Sequence, residues 1–202
     1  KSFLNKKFVF TWNGQAINMK LGVLVNKIES FFSSKKKHWS VVSQCDPNDL
    51  NIGTRPVIFD YTAGGLVPLM AEFATLFWYQ LAQGSYLSLK YNEQAFKEHQ
   101  RIYKRMNHVD MIETNIKYIP SKLRVQFLEE YIEQVIEPCF DEIQDFSGWY
   151  EEFKNYIAMK IIGVFNVSEM DEKDMLLSLG YLYLFYETTN ITEPRDLLKL
   201  IK

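Results

Sequence analysis

Between residues 43 and 61 the chain gathers oxygen-bearing side chains at spacings that suit one kind of chemistry. The stretch reads Ser43-Gln-Cys-Asp-Pro-Asn-Asp-Leu-Asn-Ile-Gly53, then Pro56-Val-Ile-Phe-Asp-Tyr61. Asp46 stands five residues before Asn51, and Asp60 closes the second apolar run. Phosphoryl transfer asks little covalent work of a protein. It needs a carboxylate that orients an attacking hydroxyl and takes its proton, and oxygen ligands for the magnesium bridging the phosphates. Asp46 suits the first task. Asn51 and Asp60 offer the hard oxygen donors that magnesium favours. The same residue types also gather in turns for conformational reasons, so Asp46, Asn48, Asp49 and Asn51 alone equally describe a polar turn after Pro47.

Asp46-x-x-x-x-Asn51 followed by Asp60 resembles the catalytic and metal motifs of the aminoglycoside phosphotransferase and choline kinase superfamily, whose fold is kinase-like. That pattern reads His-Gly-Asp-x-x-x-x-Asn, with a later strand ending Ile-Asp-Phe. The family often sets Asp-Leu-Ala about twelve residues after the metal Asp, and Glu72-Phe-Ala74 stands in that place. The resemblance spans roughly Trp39 to Leu81. It implies Asp46 as catalytic base, Asn51 and Asp60 as Mg2+ ligands, and ATP as the phosphoryl donor to a hydroxyl of a small molecule. It departs in Gln44-Cys45 for His-Gly, and in Tyr61 for Phe. No segment resembles the family's N-terminal lobe, with its Gly-rich loop and ATP-binding Lys. The expectation is therefore a fragment of a longer chain, the C-terminal lobe only. The other expectation is a kinase-like binding or regulatory module without catalysis.

Other candidates carry less. His38, His99 and His108 are scattered without metal spacing, and Cys45 has no His near it in sequence. Trp149, Tyr150, Tyr181, Tyr183 and Tyr186 would make an aromatic cage for a quaternary ammonium group, or simply core at helical spacing. The acids from Glu130 to Glu152 would attract a cationic substrate, or form solvated helix faces. Glu72 is the odd acid, set in an otherwise apolar helix, where an unpaired charge is costly. It calls for a partner in the loop of residues 44–53.

These residues need elements to hold them. Phe8, Phe10 and Trp12 alternate before Asn13-Gly14, and Ile17, Met19 and Leu21 alternate after it. That is a hairpin on a two-residue turn, pairing Phe10 with Ile17 and Phe8 with Met19. A short helix follows on Leu24, Val25, Ile28, Phe31 and Phe32. Strands over 39–43 and 56–61 flank the loop of 44–54. Helices are predicted over 67–83, 94–106, 123–136 (stopped by Pro138), 149–165 and 175–185, the last capped by Ser168 with Asp171. Thr192 opens a final short helix. The fold class is mainly α with a small β component, the helical C-terminal lobe of a protein-kinase-like fold. Residues 1–22 form a hairpin segment and 23–202 the lobe with its catalytic loop, a single domain overall.

The bulk numbers agree with such a domain. At 202 residues, 47% hydrophobic and 15% aromatic, the chain has ample material for a core. Its net charge of -2 lacks the basic excess of a nucleic-acid binder. Lys35-Lys36-Lys37 follows a helix, where cations favour the negative end of its dipole. Two cysteines make no disulfide framework and point to a reduced, cytoplasmic setting. The most apolar stretch, residues 66–78, contains Glu72 and is too short to span a bilayer. The partner expected is thus a small-molecule substrate, with neither nucleic acid nor membrane.

Overall fold

The computed structural model describes residues 7–12, 14–47, 60, 62, 64–81, 103–108, 111–116, 122–143, 145–164 and 172–201. The protein is mainly helical with a small β component, and the chain forms two compact units.

The first unit is Lys1–Lys36, Ser88–Ile119 and Ile161–Thr189. Strands β1 (Lys7–Trp12) and β2 (Gln15–Lys20) form the hairpin, with Phe10 opposite Ile17 and Phe8 opposite Met19. Gly14 takes φ +86°, the conformation that a tight hairpin turn requires and glycine adopts without steric cost. The hairpin does not stand alone. Its order continues β2-β1-β6-β5, where β6 (Met111–Ile116) lies parallel to β1 and β5 (Tyr103–His108) antiparallel to β6. Helix α1 (Leu21–Ser33) follows β2 directly and buries Leu21, Leu24, Ile28 and Phe31, one stripe of a 3.6-residue period. The Ser34 hydroxyl donates to the Phe31 carbonyl and closes it. A long helix, Glu172–Glu187, is buried through Tyr186 from Leu176 on, and Tyr181 packs on Trp12 with ring centroids 4.7 Å apart.

The second unit is Lys37–Leu87, Pro120–Lys160 and Asn190–Lys202. Strands β3 (Ser40–Ser43) and β4 (Gly65–Pro68) make an antiparallel ribbon, leading straight into α2 (Leu69–Leu81). The Leu69 N–H donates to the Trp39 carbonyl at 2.8 Å. Every residue from Phe73 to Gln80 is buried, as an all-round apolar sequence requires. Then come α3 (Lys122–Tyr131), a π-helical turn (Ile132–Ile136), α4 (Glu137–Glu142), α5 (Trp149–Met159), Lys160 as the first residue of a second π-helical turn (Lys160–Val164) whose remaining residues belong to the first unit, and, in the C-terminal segment, a last short helix, Asp196–Lys199. Phe153 of α5 meets Phe73 and Phe77 of α2 at centroid distances of 5.2 and 5.5 Å. Such aromatic pairs add about 0.5–1.5 kcal/mol beyond the area they bury.

Several elements differ from expectation. Residues 65–68 form a strand because β3 supplies its partner, so α2 starts at Leu69 rather than residue 67. Tyr103–His108, expected in a helix over 94–106, is the edge strand β5; pairing with β6 overrides the local helical pattern. Pro138 does not stop its helix. The π-helical turn widens the backbone just ahead of it, and Pro138 falls in the first turn of α4, where its missing N–H is tolerated. The strand of 56–61, apart from Asp60, and the Ser168–Asp171 cap lie outside the described residues.

Candidate active site

The β3 strand delivers Ser43, Gln44, Cys45 and Asp46 in sequence. The Ser43 hydroxyl accepts the Cys45 N–H at 2.9 Å, and the Gln44 Oε1 accepts the Asp46 N–H at 2.9 Å. On its other side the Gln44 amide donates to the backbone carbonyl of Asp60 at 2.6 Å. One side chain therefore joins the backbone of Asp46 to that of Asp60. Cys45, just before Asp46, takes φ +69°, and Asp60 takes φ +54°. The left-handed region costs an L-residue about 1–2 kcal/mol, and only glycine, with Asn or Asp at times, visits it routinely. Cys45 sits at the position where the resembled motif carries Gly, so the backbone there has the conformation that glycine would adopt without strain.

Asp46 is half-buried. Its Oδ1 accepts the Tyr79 O–H at 2.5 Å, and the Lys160 ammonium stands 3.6 Å from the same atom. Lys160 also lies over the Tyr79 ring, 4.8 Å from its centroid. Burial, then the hydrogen bond to Asp46, pushes the Tyr79 phenol far above its ordinary value. Tyr79 thus remains a proton donor to Asp46 and never competes with it as a base. The Cys45 thiol is pushed up by burial and by Glu72, which opposes the thiolate a cysteine nucleophile needs.

Among the described residues Glu72 joins this cluster through Ser43; residues 48–53 of the loop where its partner was expected lie outside the described residues. It faces the Ser43 hydroxyl, which bonds it, and shares the Lys160 charge, while its buried Oε2 has no hydrogen-bond partner among the described residues. Burial raises its pKa first and Asp46 adds to the rise; Ser43 and Lys160 oppose it. Tyr131 is raised by its own burial and by Glu72.

Asp60 is exposed, and its Oδ1 accepts the Thr62 hydroxyl at 2.5 Å and the Thr62 N–H at 3.4 Å. Asn51 lies outside the described residues. Among the described residues no group of three His, Cys, Asp or Glu side chains is placed to hold a metal. The donor chemistry still fits magnesium, which binds through one or two carboxylates together with phosphates and water rather than in an all-protein cage. Asp60 is a hard, accessible oxygen donor of that kind.

Other sequence candidates resolve into packing. Tyr181, Tyr183 and Tyr186 are buried in the first unit, and Trp149 and Tyr150 are buried in the second. Glu133 and Glu137 pair with Arg195, Glu151 with Lys154, and Glu152 with His38. Tyr79 and Lys160 went unread in the sequence, and Gln44 was read only as a departure from the motif. Lys160 had a signal, because it continues the apolar stripe of Phe153 and Ile157, where a cation needs an anion. Tyr79, inside a helix apolar on all sides, had none.

No protein-family model, curated protein or solved structure matches this chain. Among the described residues no helix is long and apolar enough to cross a membrane.

Proposed function

We propose that this chain supplies the catalytic base and the magnesium ligands of an ATP-dependent phosphotransferase acting on a hydroxyl of a small molecule. The observation that carries this reading is the Gln44 side chain, which ties the Asp46 N–H to the Asp60 carbonyl. It holds the proposed base and the proposed metal ligand on neighbouring segments. The left-handed backbone at Cys45, in the place of the motif's glycine, supports the same reading. In the reaction the acceptor oxygen bonds to the γ-phosphorus, and the bond to the bridging oxygen of ADP breaks. The hydroxyl proton passes to Asp46. Magnesium, held by Asp60 and Asn51 when bound, would neutralise the phosphate oxygens.

The test is an ATP-consumption screen, with magnesium, of the protein carrying these residues against amino-alcohols, aminoglycosides and sugars. Asp46→Asn keeps the shape but removes the proton acceptor, so turnover falls about a hundredfold while nucleotide affinity holds. Asp60→Ala weakens magnesium-dependent nucleotide binding instead. Equal, mild effects from the two variants would overturn the proposal in favour of a non-catalytic module.

A further inference from the structure

We infer that Lys160 is a positioning residue for Asp46, acting with Tyr79 to fix the carboxylate that takes the proton; the inference rests on the phosphotransfer reading. Two groups from different helices converge on one atom. The Tyr79 hydroxyl, from α2, reaches Asp46 Oδ1 at 2.5 Å, and the Lys160 ammonium, from the end of α5, at 3.6 Å. A carboxylate gripped at one oxygen loses rotation about its side-chain bonds, and a base misplaced by about 1 Å can lose on the order of a hundredfold in rate.

Packing alone does not account for Lys160. Its side chain is only 16% exposed, and a lysine held that far from water is costly unless well paired. The pairing is uneven, since Asp46 and Glu72 both draw on this one ammonium. An apolar residue would continue the stripe of Phe153 and Ile157 more cheaply. The backbone is unusual at the same point, because the π-helical turn begins at Lys160. Such turns inside helices occur frequently at functional sites. Lys160 and Tyr79 also hold each other, the ammonium lying 4.8 Å from the ring centroid. The clamp therefore keeps its shape before any substrate arrives.

The test compares Lys160→Met, Lys160→Arg and Tyr79→Phe in steady-state kinetics with the acceptor found in the screen. Lys160→Met lowers kcat about tenfold to a hundredfold with the nucleotide KM within about twofold, and Lys160→Arg restores most of the loss. A raised nucleotide KM with kcat unchanged would overturn the inference by assigning Lys160 to nucleotide binding, as would an unchanged kcat. A second readout needs no activity. Among the described residues Lys160 is the charge that favours the Cys45 thiolate, so in a Cys139→Ser background Lys160→Met slows iodoacetamide alkylation of Cys45 severalfold and Lys160→Arg does not. Unchanged alkylation would overturn the placement of Lys160 against this loop. If the wild-type protein transfers phosphate to no acceptor, the phosphotransfer reading fails. Slower alkylation then still places the Lys160 charge beside the loop that carries Asp46.

Discussion

Tyr79→Phe is the cleanest probe of the cluster, because it removes one hydroxyl and leaves the buried ring in place. The lost contact is a 2.5 Å hydrogen bond to a carboxylate oxygen. Hydrogen bonds to charged groups contribute about 1.5–3 kcal/mol when buried. Asp46 is only half-buried and retains Lys160, so the expected loss is about 1–2 kcal/mol. In a chain of this size each kcal/mol moves Tm by about 2–4 °C, which gives a fall of about 2–8 °C by circular dichroism. The ring continues to face Lys160, so the cation–π contact does not contribute to the difference. Attribution comes from a double-mutant cycle. In an Asp46→Asn background the same Tyr79→Phe change costs less, with a coupling of at least about 0.5 kcal/mol. A coupling indistinguishable from zero would refute the claim that Tyr79 acts on Asp46, whatever the single variant does.

Three further outcomes follow from neighbouring groups. The Glu72 pKa is raised above its ordinary 4.5, so its contribution to stability is full below that value and is lost as pH rises through the folded-state value. Glu72→Gln therefore gains on the wild type as pH climbs above about 4.5 in thermal unfolding between pH 4 and 8, and an unchanging difference would refute the assignment. Asp196 accepts the N–H groups of Thr192 and Glu193 and pairs with Lys199, which hold its carboxyl well below the usual range. Its stabilisation is present above the ordinary carboxylate pKa and lost as pH falls into strong acid. Asp196→Ala should cost about 1 kcal/mol at pH 7, the usual net loss when hydrogen bonds to backbone N–H groups are removed, measured by urea unfolding. At Cys45, Gly should be tolerated within about 1 kcal/mol, whereas β-branched Val costs about 2 kcal/mol or more at the positive φ; equal effects would contradict the strain.

What was legible in the sequence follows how local each signal is. The hairpin could be read to the register because Asn13-Gly14 sets the turn and two-residue alternation does the rest. Helix α2 could be read because nearly every residue from Leu69 to Tyr79 is apolar, whatever packs on it. Strand β5 could not, since its partner β6 is itself placed by a parallel pairing with β1 from the far end of the chain. The site divides the same way. Asp46, Asn51 and Asp60 lie within one short segment, and their types and spacing show on the page. The groups that grip Asp46 come from α2 and from the far end of α5, and no spacing rule links them to the loop.

The weightiest clue lay in a departure from pattern. Gln44-Cys45 replaces the His-Gly of the resembled motif, which by sequence counts against a working site. Gln44 turns out to use both ends of its amide, accepting from Asp46 and donating to Asp60. Cys45 keeps the left-handed backbone despite its side chain. A loop needing only a polar turn has Gly or Asn available for that conformation, at no such cost. Here a cysteine is held there, at about 1–2 kcal/mol, by the hydrogen bond from its own N–H to Ser43 and the ribbon behind it. Strain of this kind persists where the surroundings over-determine the backbone, and it clusters at functional sites. If Asp46 is the base we propose, Gln44-Cys45 changes the side chain in front of it while the backbone keeps the left-handed conformation that the resembled motif's glycine would allow.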